Sequence, residues 1–228
     1  NAGIDVVMIT GDAKETAVSI AKEVGIIRNE KDIVLTSGEL NNLSDYEIEK
    51  KLPNIKVIAR ALPTDKSRLV NLALNKDLIV GMTGDGVNDA PALKNADIGC
   101  AMGLVGTDVA KEAADVILTD DNFTTVVSAV EEGRRIYDNI LKAIQFLLSS
   151  NVGEIVVLFI AILITPWISS TFNININLIE VLLPIHILWI NLVTDSLPAL
   201  ALAVDPAEDD VMSRKPLKTN KGIFTKGM

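Results

Sequence analysis

From residue 143 to residue 213 the chain carries no Lys or Arg, and the run is bounded by Lys142 and Arg214. It is filled instead with Ile, Leu, Val and Ala, and its only acids before Asp205 are Glu154, Glu180 and Asp195. Hydrocarbon selects for this, because a charge at the centre of a bilayer helix costs roughly 2.5–3.5 kcal/mol even on the lenient insertion scale. Residues 1 to 142 have ordinary globular chemistry. The chain therefore reads as a soluble half followed by a membrane half.

The remaining composition excludes more than it assigns. A net charge of −9 without clustered Lys and Arg argues against nucleic acid as a partner. Cys100, the one cysteine, has no partner for an internal disulfide and reads as a small buried core residue. Asn1 opens directly into a strand-like run, with neither a basic leader nor an initiator Met, so a segment from inside a larger protein is expected.

In the soluble half, apolar runs at Ile4–Ile9, Val57–Ala59, Leu78–Met82, Ile98–Met102 and Val116–Leu118 read as strands. Amphipathic stretches at Ala13–Val24, Thr64–Leu74, Asn88–Asn95 and Thr107–Ala113 alternate with them and read as helices. Continuous Val/Ile strands alternating with helices imply an α/β fold with a parallel sheet covered on both faces. In such a sheet the ligand site lies at the carboxyl ends of the strands.

A helical pattern from Thr125 to Ile164 is long enough to cross a hydrocarbon core in its second half, which takes about 20 residues. Thr165-Pro166-Trp167 is expected to stop it, and a second apolar segment follows from about Leu182 to Val204. Basic residues flank the pair outside, at Arg134, Arg135 and Lys142 and at Arg214, Lys215, Lys218 and Lys221. The positive-inside rule then makes both flanks cytoplasmic and the loop 165–181 extracytoplasmic. The expected division is a soluble domain at 1–124, a stalk and two transmembrane helices at 125–204, and a cytoplasmic loop at 205–228. In this reading membrane lipid is a partner.

Two segments repeat a theme: MITGD at 8–12 and MTGDGVNDAP at 82–91. Each follows a strand and opens a helix, which presents backbone N–H groups and a hydroxyl to an anion. Asp85 and Asp89 offer acceptor-only oxygens suited to Mg²⁺. The competing reading makes each Asp an ordinary helix N-cap. Lys66, one turn into a helix starting near Pro63, is placed to aim its ammonium at a phosphate held by the TGD backbone. As a lone lysine it reads equally as solvated surface.

TGD, then a Lys in a P-x-x-K-S helix start, then TGDGVNDAPALKNADIGCAMG, DDNF and EEGRRIYDNI together resemble the P-type cation-transporting ATPases. The resemblance covers essentially the whole chain. It implies a partial phosphorylation domain, haloacid-dehalogenase-like and Rossmann-type, followed by the fifth and sixth membrane helices. By the same resemblance Thr10, Gly11 and Asp12 would contact phosphate and nucleotide, and Arg60 would reach ATP. Lys66 would neutralise the transferred phosphoryl group, Asp85 would ligate Mg²⁺, Asn88 would bond the phosphoryl oxygens and Asp89 would support the loop. The family's nucleophilic aspartate, in a D-K-T-G-T string, does not occur in residues 1 to 228. The remaining domains of the same pump are therefore expected partners, and this segment alone is expected to be inactive.

In the membrane half, Asn151 and Glu154 are three apart, while Asn191, Thr194 and Asp195 are related by three and four. Pro198 cannot donate to the carbonyl of Thr194, which leaves that oxygen beside Asp195. Converging Asn, Glu, Thr and Asp oxygens suit a hard cation, although the amides and hydroxyl also serve as interhelical hydrogen-bonding groups. SSNVGE and NLVTD resemble the calcium pumps of the family most closely, which implies Ca²⁺ as the transported ion; Ser196 stands where those pumps often have Gly. The alternatives are a pump for Na⁺, K⁺, H⁺ or Mn²⁺, a membrane-anchored haloacid-dehalogenase-type phosphatase, or a passive channel. His186 reads as an ordinary packed histidine, and the ININ run at 174–177 as an exposed loop.

Overall fold

The computed structural model describes residues 2–172 and 183–216. The chain forms two compact units, residues 1–127 with 213–228, and residues 128–212.

In the first unit the described strands are all parallel and lie in two sheets. One contains β1 (Met8–Ile9), β2 (Ile33–Thr36) and β3 (Ile55–Ala59) in the order β1-β3-β2. The other contains β4 (Gly81–Gly84), β5 (Ile98–Met102) and β6 (Val116–Leu118) in sequence order. β1 and β4 each lie at the edge of their sheet, with one side lacking a strand partner among the described residues. Both strands are shorter than the apolar runs that lead into them. Ile4, Val6, Leu78 and Ile79, expected to be strand residues, are exposed and carry no ladder bonds, because extended backbone without a neighbour has nothing to hold it in a sheet.

Helices cover the sheets in register with their apolar faces. Ala17 and Ala21 of α1 (Lys14–Glu23) pack with Val57 and Ala59 of β3. Behind the same strand, Leu40 of α2 (Ser37–Asn41), Ile48 of α3 (Asp45–Lys51) and Leu69 and Leu72 of α4 (Pro63–Leu74) close over Ile55 and Ile58. Full burial of each such Leu or Ile contributes about 1.5–3 kcal/mol. Neither α2 nor α3 is expected from apolar periodicity. Both start at reciprocal capping boxes, Thr36 with Glu39 and Ser44 with Glu47.

Helix α4 also serves the second sheet. Its Val70 packs with Met82 and Ala101, with Ala92 and Leu93 of α5 (Ala90–Asn95) and with Ala110 of α6 (Asp108–Ala113). One helix therefore carries apolar residues into the cores of both sheets, and Lys66 sits on its first turn. Cys100 is buried in β5, as expected, and burial pushes its thiol pKa up.

The long helix α7 runs from Phe123 to Phe172 and passes through Pro166. The expected stop at Thr165-Pro166-Trp167 does not occur. Pro166 removes only the N–H that would reach the Ile162 carbonyl, and the Thr165 hydroxyl bonds the Ala161 carbonyl at 2.6 Å in the same turn. Apolar helices tolerate proline under such local compensation. Residues 165–172 of the expected loop are therefore helical. Residues 173–182, with the ININ run, Glu180 and the start of the second apolar segment, lie outside the described residues.

That second segment is not one straight α-helix. It consists of α8 (Pro184–Trp189), a π-helical turn at Ile190–Thr194 and α9 (Ser196–Ala203). Both α7 and the Pro184–Ala203 stretch are long and apolar enough to cross a membrane. His186 is exposed rather than packed, and its Nδ1 accepts the Leu183 N–H at the start of α8. Residues following α9 bind back onto α7 within the second unit. Buried Asn139 donates to the Asp205 carbonyl at 2.8 Å, and Lys142 pairs with Asp205 and Glu208 at 3.2 and 3.0 Å.

Candidate phosphate and cation sites

The carboxyl ends of the strands hold the polar residues of the first unit. At the end of β1 the Thr10 hydroxyl donates to Asp12 Oδ2 at 2.7 Å, while the Asp12 N–H returns to Thr10 Oγ1 at 3.2 Å. The end of β3 is tied to this turn, since Arg60 N–H donates to the Asp12 carbonyl and Ala61 N–H to the Thr10 carbonyl, both at 2.9 Å. Arg60 holds this position at φ +51°, a left-handed conformation that costs a non-glycine residue on the order of 1–3 kcal/mol. Its exposed side chain thus starts beside Asp12. Gly11 has open space around a would-be Cβ and no positive φ, so nothing in the fold demands glycine there.

At the end of β4 the loop is organised by Asp89, which is 4% exposed. Its Oδ1 pairs with the Lys66 ammonium, and its Oδ2 accepts the N–H groups of Asp85 and Gly86, each at 3.3 Å. A Cβ on Gly84 would stand 2.5 Å from the Asp89 Cβ, so this glycine is what lets the buried carboxylate turn back under the loop. Helix capping does not account for Asp12, whereas Asp89 accepts the N–H of Gly86, the N-cap of the 3-10 turn Val87–Asp89. The N-cap of α1 is Ala13, and Asp89 caps α5 without a side-chain hydrogen bond.

Asp85 and Asp89, alike in sequence, differ in the fold. The Asp89 carboxylate is consumed on both oxygens, whereas Asp85 is exposed and its carboxylate makes no hydrogen bond or ion pair among the described residues. A free carboxylate at a strand end suits Mg²⁺, which keeps most of its waters and takes one or two carboxylates. Lys66, Asp85 and Asp89 border a single open cleft of about 480 Å³ with Ile9 of β1, Gly84 of β4 and Asp121. Lys66 points to Asp89, not to the TGD turn that its sequence position suggests. Thr10, Gly11, Asp12 and Arg60 form their own cluster, and Asn88 is exposed with no side-chain hydrogen bond among the described residues.

In the second unit the structure joins Glu154 to Asn191, whose Nδ2 donates to Glu154 Oε2 at 3.3 Å and to the Ile187 carbonyl at 3.1 Å. Glu154 Oε1 and Asp195 Oδ2 are buried without hydrogen-bond partners among the described residues, and Asp195 is 3% exposed. Asn151 faces outward and bonds the Leu147 carbonyl of its own helix at 2.8 Å. Thr194 is exposed. The expectation that Asn191, Thr194 and Asp195 share a face assumed α-helical spacing, but here Asp195 N–H reaches the Ile190 carbonyl five residues back at 3.0 Å. This wider turn buries Asp195 and leaves Thr194 outside. No group of three or more His, Cys, Asp or Glu gathers as a metal cluster among the described residues.

Sequence reasoning passed over two features. One is the π-turn, for which no sequence signal exists. The other is the carboxylate of Asp121, noticed only as part of the DDNF string.

The chain thus combines parallel half-sheets, with an acidic loop at the carboxyl end of a strand, and two helices long and apolar enough to cross a membrane. A family model for haloacid dehalogenase-like hydrolases matches residues 1–97, and one for the cation transporting ATPase C-terminus matches residues 179–228. The chain is 54% identical over 224 residues to calcium-transporting ATPase 1 of Bacillus cereus, covering 98% of this chain and 24% of that protein. To the calcium-transporting ATPase of Bacillus subtilis it is 49% identical over 225 residues, with 99% and 24% covered. A solved structure of a zinc-transporting PIB-type ATPase aligns with 86% of this chain and 24% of its own, at a TM-score of 0.53 and 27% identity. The chain belongs to the P-type cation-transporting ATPases, and it spans about a quarter of the length of these relatives.

Proposed function

We propose that this chain is the part of an ATP-driven Ca²⁺ pump that links the phosphate site to the ion site. Lys66 neutralises the transferred phosphoryl group, Asp85 ligates Mg²⁺, Asn88 and the Thr10-Gly11-Asp12 turn contact phosphate and nucleotide, and Arg60 reaches the nucleotide. Asp89 supports the loop. Phosphoryl transfer asks a protein chiefly for positioning and charge neutralisation, and this set supplies both. The acceptor aspartate comes from a segment outside residues 1 to 228. The edge strands β1 and β4 border one cleft at their carboxyl ends, which supports a ligand site there, because ligands of open α/β sheets bind outside the carboxyl ends of the strands. In the membrane half Glu154, Asn191 and Asp195 bind the transported ion, with Asn151 and Thr194 as further oxygen donors. The soluble part is cytoplasmic.

The observation that carries this reading is the pair of buried carboxylate oxygens, Glu154 Oε1 and Asp195 Oδ2, that have no partner among the described residues and lie on apolar helices. Such groups are costly unless they pair or bind a cation. The names of the relatives supply calcium as the ion, and Ca²⁺ takes carboxylate and amide oxygens of this kind. In the full-length protein Asp195→Asn is expected to lose Ca²⁺-activated phosphorylation from ATP. Phosphorylation by inorganic phosphate without Ca²⁺ should persist. Wild-type Ca²⁺ affinity of the variant in direct binding would remove Asp195 from the site and overturn the reading.

A further inference from the structure

We infer that Asp121 is a positioning residue for Asp85, acting through the loop 103–107; the inference rests on the proposed role of Asp85 in holding Mg²⁺. Asp121 follows β6 at φ +51°, a conformation it adopts without being glycine. Its carboxylate collects three consecutive backbone donors. Oδ1 accepts the N–H groups of Gly103 and Leu104 at 2.6 and 3.0 Å, and Oδ2 accepts that of Val105 at 2.8 Å. These bonds hold the carboxyl below the usual Asp range, the Leu104 N–H contributing most.

From this anchor the chain has little freedom. At Gly106 a Cβ would stand 2.0 Å from the Met102 carbonyl oxygen, so the loop doubles back tightly on the end of β5. Thr107 then donates its N–H to the carbonyl of Asp85 at 2.8 Å. The Asp85 N–H is held on the other side by Asp89 Oδ2. Both peptide groups flanking the Asp85 side chain are thus fixed, one through Lys66 and Asp89, the other through the loop that Asp121 clamps. The carboxylate between them is free for a cation. Asp85, Val105 and Asp121 all border the same cleft, which places the clamp against the site and not on a remote surface.

Asp121→Ala removes all three acceptor contacts. Asp121→Asn keeps the volume, tolerates the left-handed conformation and retains one acceptor oxygen, but sets its NH₂ against the Val105 N–H. The test is made in the full-length protein with two readouts: Mn²⁺ binding followed by electron paramagnetic resonance, and the Mg²⁺ dependence of phosphorylation by inorganic phosphate. Asp121→Ala should weaken Mn²⁺ binding and raise the half-saturating Mg²⁺ concentration by about tenfold, the scale of losing charge-assisted hydrogen bonds. Asp121→Asn should lie between this and wild type, and it keeps the test open where the Ala variant does not fold. Ca²⁺ binding should be unchanged in both. Unchanged Mn²⁺ affinity in a folded Asn variant overturns the inference alone. Phosphorylation of the wild type that needs no divalent cation overturns the proposed role of Asp85 and the inference with it.

Discussion

Lys66, on the first turn of α4, pairs with Asp89 at the end of the β4 loop, and the pair is largely withdrawn from water on both sides. The second oxygen of Asp89 holds the backbone of Asp85 and Gly86, so a single carboxylate couples a mobile-stemmed ammonium to the conformation of the acidic loop. A negatively charged phosphoryl group in the cleft would compete with Asp89 for that ammonium. The loop geometry and the charge of the cleft are then adjusted by one event.

Asp89→Asn should therefore act on stability and on the site together. Removing the charge leaves Lys66 buried without its counter-ion, and breaking such a pair costs about 3–5 kcal/mol when burial is complete. With the Lys66 side chain 18% exposed, the lower end of that range is expected, read as a fall in the denaturation midpoint of the soluble unit.

Asp85→Asn should behave in the opposite way. Its carboxylate bonds nothing among the described residues, so stability should stay within about 0.5 kcal/mol of wild type. Mg²⁺-dependent phosphoenzyme formation should be lost, as measured by acid-stable phosphate incorporation. A variant with unaltered Mg²⁺ dependence would remove Asp85 from the metal site.

Gly84→Ala tests the close approach in the same loop. Its new methyl meets the Asp89 Cβ at 2.5 Å, and Asp89 is a short, buried side chain held on both oxygens, with little room to yield. Overpacking of this kind costs about 1–3 kcal/mol. The thermal midpoint should fall, and the further fall that Gly84→Ala causes should be smaller when it is introduced into an Asp89→Gly background, which lacks the opposing Cβ.

The pH dependence of Asp121 has a defined sign. Its folded carboxyl lies below the ordinary value of 3.8, with the backbone N–H of Leu104 the largest cause. The group therefore binds its proton less readily in the folded state, and its contribution to stability is present above pH 3.8 and lost as the pH falls below it. Thermal midpoints of wild type and Asp121→Asn should differ at neutral pH and converge in acid below that value. A gap that stays constant through the acid range would show that the charge is not what clamps the loop.

Much of the soluble fold is legible from periodicity. β5 and β6 occupy the expected residues, and α4 and α6 begin within a residue of their expected starts and end where expected. α4, α6 and β5 are packed against neighbours, so local pattern and tertiary packing agree there, while β6 lies at a sheet edge with Val116 and Ile117 exposed and keeps its bounds through pairing with β5. β1 and β4 are shorter than their apolar runs because ladder bonds depend on a strand alongside, and no local pattern encodes that. β2, α2 and α3 lack strong periodicity, but the Thr36/Glu39 and Ser44/Glu47 capping boxes mark both helix starts in plain sequence. At the candidate sites the residue types were legible and their division of labour was not. Asp85 and Asp89 look equivalent until the Lys66 pairing separates them. Thr194 and Asp195 separate only through the π-turn, whose hydrogen bonds cost one residue of register without a change in composition.

The bare edges of β1 and β4 have a consequence for the chain as a material. Each exposes a row of N–H and C=O groups beside apolar residues, Ile4, Val6 and Val7 next to one and Leu78 and Ile79 next to the other. The β1 edge is blunted by its two-residue length and by exposed Asp5 beside it, whereas residues 78–84 carry neither charge nor proline, and an edge of that kind templates pairing with extended backbone that it meets. Handled in isolation, the first unit would recruit another copy of itself to the β4 row, and its colloidal behaviour would report on that edge more sensitively than its secondary structure content.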